Sequence, residues 1–208
     1  MTYCLRWAGL SPTPHLTLLP DTAKIILPRW SMLPYLFVLL AVAFRFLILH
    51  LQPHPWDFTP LTASLLFFGA YGSRRQMWFP VALLAGTDVV LTKFVYGYPM
   101  SWDTYVTWAW YAAIVLVGTK LGQHSKAVWV LGSALAGSVS FFVVSNFAVW
   151  LAYDMYPKTW PGLLTCYAAG IPFFQHRIVG DLLFTAVMFA VPALIAHRKK
   201  LSGNIAAA

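Results

Sequence analysis

With 208 residues, 60% of them hydrophobic and only 10% charged, and a mean hydropathy of +0.68, the chain has the composition of a protein whose main solvent is lipid. Its formal charge of +8 comes from Lys and Arg at the ends of apolar stretches. Anionic headgroups are the nearer partner there, which argues against nucleic-acid binding.

Residues 1–29 lack the continuous apolar core of a signal peptide and carry Pro12, Pro14, Pro20 and Pro28, so they read as a retained cytoplasmic arm. Within it, residues 16–27 fit either a short interfacial helix or an irregular tail. Six apolar stretches follow, at residues 30–50, 58–71, 77–95, 103–121, 127–151 and 179–197. Residues 30–197 form one membrane domain and residues 198–208 a cytoplasmic tail. The predicted fold class is all-α, a polytopic helical bundle with six transmembrane helices.

The second stretch is the shortest, since fourteen helical residues rise about 21 Å against a hydrocarbon core of about 30 Å. Charge placement favours a full crossing. With six spans and an inner N-terminus, Arg6, Lys24, Arg29, Arg74, Arg75, Lys120, Lys126, Arg198, Lys199 and Lys200 lie inside, against Lys93, Lys158 and Arg177 outside. A re-entrant second stretch would divide the same residues about evenly. The implied location is the bacterial inner membrane, multi-pass, with both termini cytoplasmic. Cys4 and Cys166 then lie on opposite sides and cannot pair.

Thr59 before Pro60 reads as an N-cap and first helical position of the second span. In the fifth span Gly132, Ala136 and Ser140 recur every four residues, as do Ser133 and Gly137, which predicts a small-residue face buried against another helix. Three polar groups fall at membrane depth, where they are costly without a partner or a cavity. Arg45 and Asp88 come to similar depth and fit a structural ion pair, a substrate contact at Asp88, or snorkelling of Arg45 to the surface. Asn146 is the third.

Two outer connections are further candidates. The first, residues 52–58, is stiffened by Pro53 and Pro55 and presents His54, Trp56 and Asp57. The last, residues 153–177, is long and apolar and includes Trp160, Cys166, Tyr167, Pro172 and His176, so it reads as a lid over an outward pocket or as a structural cap. Metal or haem ligation finds no convincing spacing, and phosphate loops, nucleophile elbows and dinucleotide fingerprints are missing from the sequence. The expectation is a non-enzyme without cofactor or metal.

The run from Pro53 to Pro60 with Phe67-Phe68-Gly69-Ala70-Tyr71, then Phe141-Phe142 through Asn146-Phe147 to Trp150, then residues 162–167, Ile171-Pro172-Phe173-Phe174 and Gly180-Asp181, resembles an uncharacterised bacterial six-span membrane family over residues 44–190. That family is distantly similar to the S components of energy-coupling-factor vitamin transporters. The resemblance implies a six-helix protein that captures a small molecule from outside. The Ala-x-x-x-Ala surface that many S components offer their coupling subunit is not evident in the first span.

Two functions follow as expectations. One is a vitamin-like substrate-binding or uptake protein with an outward-facing pocket, contacted by His54, Trp56, Asp57, Asp88, Asn146, His176 and Asp181. The alternative is a non-catalytic subunit of a larger membrane complex, packing its 17% aromatic residues against other membrane subunits, pigments or lipids. Membrane lipids are partners in both.

Overall fold

The computed structural model describes residues 32–50, 59–122 and 125–206. The N-terminal arm and the first outer connection, with His54, Trp56 and Asp57, lie outside the described residues. Six α-helices follow one another: α1 (Leu33–His50), α2 (Leu61–Tyr71), α3 (Trp78–Val90), α4 (Trp102–Gly118), α5 (Ala127–Ala152) and α6 (Trp160–Ala206). A 3-10 turn at Arg74–Gln76 leads into α3, which runs on into a π-helical turn at Leu91–Val95. Among the described residues there is no strand. Three helical segments, Arg74–Val95, Ala127–Ala152 and Trp160–Ile195, are long and apolar enough to cross a membrane, while the apolar helices α1 and α2 are shorter.

Successive helices alternate in direction. Tyr35 at the start of α1 donates to Gln76, and Arg74 donates to the Thr119 carbonyl, so these connections share one end of the bundle. At the opposite end the Tyr153 hydroxyl donates to Asp103 at the start of α4.

At the centre stands α2. Every residue from Leu61 to Gly69 is buried, which is the signature of a helix apolar all round and enclosed by neighbours. It packs against α1, α4, α5 and α6. Phe67 meets Phe37 and Phe189 edge-on, and Phe68 does the same with Tyr35. Gly69 and Gly118 let α2 and α4 approach backbone to backbone. Helix α2 begins at Leu61 with Pro60 as its N-cap residue and no side-chain cap bond, so Thr59 does not cap it as expected.

The expected lid is helix. Only residues 153–159 link α5 to α6, and the segment from Trp160 onward packs antiparallel along α5. The Tyr167 hydroxyl donates to the Val143 carbonyl at 2.8 Å, and Phe142 and Phe174 stack with centroids 4.4 Å apart. Pro161 is tolerated in the first turn, where its missing N–H has no intrahelical partner. Pro172 and Pro192 lie inside the helix. Packing against α5 outweighs the helix-breaking signals of Gly170, Pro172 and the polar run Gln175-His176-Arg177. Lys158 closes the other side of this turn by donating to the Trp150, Leu151 and Tyr153 carbonyls at the C-terminus of α5.

The small-residue face of α5 also differs from expectation. The buried positions are Val130, Ala134, Gly137, Ser138 and Ala148, whereas Gly132 and Ala136 face outward and Ser133 and Ser140 are half-buried. Four-residue spacing identified two stripes on one helix, and contacts with α2, α4 and α6 chose the one containing Gly137. A Cβ on Gly137 would lie 2.9 Å from Thr62 Cγ2, while one on Gly132 would meet nothing within 4 Å. Gly137→Leu should therefore lower the melting temperature in detergent by several degrees, equivalent to about 1–3 kcal/mol of overpacking. Gly132→Leu should leave it within about a degree, and a comparable loss in both would contradict this packing.

Candidate functional site

Side chains from all six helices line one cavity of about 360 Å³, with polar groups from α1, α3, α4 and α6 and from Thr59 just before α2. Helix α1 contributes Arg45, α5 Phe141 and α6 Arg177. From α2 and the residues just before it come Leu61 and Thr59, and from α3 and its π-helical turn Asp88 and Thr92. Helix α4 supplies Asp103, Thr104, Thr107 and Tyr111, which share a face because they are one, three and four residues apart in turn.

Arg45 donates to Asp88 in an ion pair and reaches the Thr87 hydroxyl at 3.2 Å. Trp108 Nε1 donates to the second Asp88 oxygen at 3.0 Å. Asp88, 8% exposed, is thus held by a cation from α1 and an indole from α4. Such a carboxylate is stable at depth only because charge and hydrogen bonds replace its water.

A second pair stands on α6, one helical turn apart. Arg177 Nε lies 3.8 Å from Asp181 Oδ2, and that oxygen accepts the Thr62 hydroxyl at 2.9 Å and the Ser138 hydroxyl at 2.7 Å. Asp181 is only 1% exposed and ties α2, α5 and α6 together. The Arg177 guanidinium also lies over the Phe141 ring, 3.7 Å from its centroid. Tyr111 lines the same cavity, within electrostatic reach of Arg45, Asp88 and Arg177.

Residues 25–203 match the model of a family of unknown function, DUF6580. The chain belongs to this family. No curated protein and no solved structure matches it. Membership in DUF6580 therefore carries no activity or ligand with it, and the likeness to S components is not among these matches.

In this DUF6580 protein the expected site residues separate into groups. Arg45 and Asp88 meet as an ion pair on the cavity wall. Asp181 lies behind the wall, in contact with it through Arg177. Asn146 does not line the cavity: its amide donates to the Phe142 carbonyl within α5, and its oxygen sits against Gly170 of α6. His176 Nδ1 lies 2.8 Å from the Pro172 carbonyl, also away from the cavity. Among the described residues no group of three or more His, Cys, Asp or Glu is arranged to hold a metal.

Sequence reading missed Arg177, Tyr111 and the threonines. Arg177 and Asp181 have the four-residue spacing of a helical ion pair, but the apolar pattern puts the first in a loop and the second in a span. The face from Asp103 to Tyr111 was legible as a polar stripe in an otherwise apolar helix.

Proposed function

We propose that this protein binds a small polar molecule inside the membrane, in a cavity open to the outer face, and serves as a capture or uptake component without chemistry of its own. The single observation that carries this reading is the cavity with six-helix lining, where two Arg–Asp pairs, a tyrosine and four threonines gather in a protein that is 60% hydrophobic. Polar groups at such a depth are costly, and a ligand site is the use that explains their convergence. The volume suits a metabolite of vitamin size. An S-component-like protein of six spans, with both termini in the cytoplasm of a bacterium, accommodates this arrangement. Arg74, Arg75, Lys120 and Lys126 then lie inside, and with Arg177 in the bundle only Lys93 and Lys158 remain as outer cations among the described residues.

A subunit role in a larger membrane assembly is favoured by one observation, the outward-facing Gly132 and Ala136 beside Trp129, which is 68% exposed. Thermal-shift screening of the purified protein against vitamins, amino acids and related metabolites decides between the two. A ligand at a hundred times its Kd contributes about 2.7 kcal/mol, a rise of roughly 5–10 °C for a chain of this size. Thr107→Val and Tyr111→Phe should shrink that rise. No shift across the panel, together with stable companion chains on native gels, would replace capture by the assembly role.

A further inference from the structure

The distribution of charge along the cavity goes further than its size. Deep in the bundle both guanidiniums have a carboxylate of their own, Asp88 for Arg45 and Asp181 for Arg177. Each of those carboxylates also accepts hydrogen bonds from neutral donors, Trp108 for Asp88 and Thr62 with Ser138 for Asp181. The negative charge is thereby shared among several donors, and the deep wall stays rich in N–H and O–H groups, with five donors on each guanidinium.

The opposite end of the cavity has the reverse character. Asp103 lies in the first turn of α4, and among the described residues it forms no ion pair; its Oδ1 accepts the Tyr153 hydroxyl at 3.2 Å. From Asp103 to Tyr111 the axis of α4 advances eight residues, about 12 Å. Between these levels Thr104 and Thr107 line the wall, offering hydroxyls that donate or accept.

Resting on the capture reading, we propose that the ligand is an elongated zwitterion: an anionic end against Arg45, Arg177 and Tyr111, a cationic end at Asp103, and a polar middle bonded by threonines. The charges of such a molecule stand on the order of 10 Å apart, the span of about three extended residues. A short peptide or an aminoacyl metabolite of that length has this chemistry. A dicarboxylate would place a second anion at Asp103, and a diamine would bring a cation to the guanidiniums.

The test uses the full-length protein in nanodiscs with three probes: triglycine, N-acetyl-triglycine, which lacks the amine, and triglycine amide, which lacks the carboxylate. Triglycine is expected to bind at least tenfold more tightly than either blocked form. Asp103→Asn should erase the discrimination against the N-acetyl form while leaving the melting temperature in place, because asparagine still accepts the Tyr153 hydroxyl. A merely structural Asp103 would shift stability and leave the preference among the probes untouched. Equal binding of the three probes, or failure of triglycine to bind, overturns the zwitterion assignment. If vitamins or other metabolites still raise the melting temperature, the capture function survives that result; if nothing in either panel binds, both fall.

Discussion

Asp88→Ala is expected to destabilise the detergent-solubilised protein by about 3 kcal/mol, the cost of leaving a largely buried guanidinium without its counter-charge. The substitution strips Arg45 of its carboxylate and leaves the Trp108 N–H without an acceptor. Arg45→Leu alone should be comparably harmful, since it leaves Asp88 without a cation. Replacing both by leucine removes the two desolvated charges together and should recover most of the loss. Thermal unfolding of the two single variants and the double variant forms a cycle whose coupling energy should be about 2 kcal/mol or more. Additive losses would mean that water in the cavity solvates the pair and screens its charges from each other.

The second large effect is expected at the crossing of α2 and α4. A Cβ on Gly69 would lie 2.2 Å from the Val115 carbonyl oxygen and 2.8 Å from Gly118 Cα, and one on Gly118 would lie 2.4 Å from the Leu66 carbonyl oxygen. The obstacles are backbone, so no rotamer change relieves them, and the two helices must separate. Gly69→Ala and Gly118→Ala should each cost about 1–3 kcal/mol, with loosened packing around α2 read as faster hydrogen exchange of its amides. Gly86→Ala is the control: a Cβ there meets nothing within 4 Å, and alanine is the better helix former. A loss at Gly86 equal to that at Gly69 would mean that alanine acts through something other than the close approach.

Much of the helical framework was legible in the sequence because apolar runs need only a local reading. All six helices lie on the predicted stretches, the largest departure being α6, which starts at Trp160, nineteen residues before the predicted start at residue 179. That error has a local cause, since Pro172 and the glycines around it are loop signals unless a neighbouring helix supplies compensating contacts. It also hid Arg177, which lines the cavity with Arg45. Asn146 illustrates the converse limit: a polar residue at membrane depth advertises a need for partners, and it meets that need through a carbonyl one helical turn away.

By itself the sequence determined that this protein is helical, apolar and basic at its helix ends, because hydropathy and charge placement are properties of short segments. It also placed Arg45 and Asp88 at similar depth, where an ion pair was one of three readings. Only the tertiary structure decided that α2 stands at the centre, that Gly137 rather than Gly132 meets a neighbour, and that Arg177 and Tyr111 share a cavity with Asp88. Those facts depend on which face each helix turns toward the others. Close packing and the pairing of buried charges across helices fix those faces together, and the order of residues along any one helix leaves them undetermined.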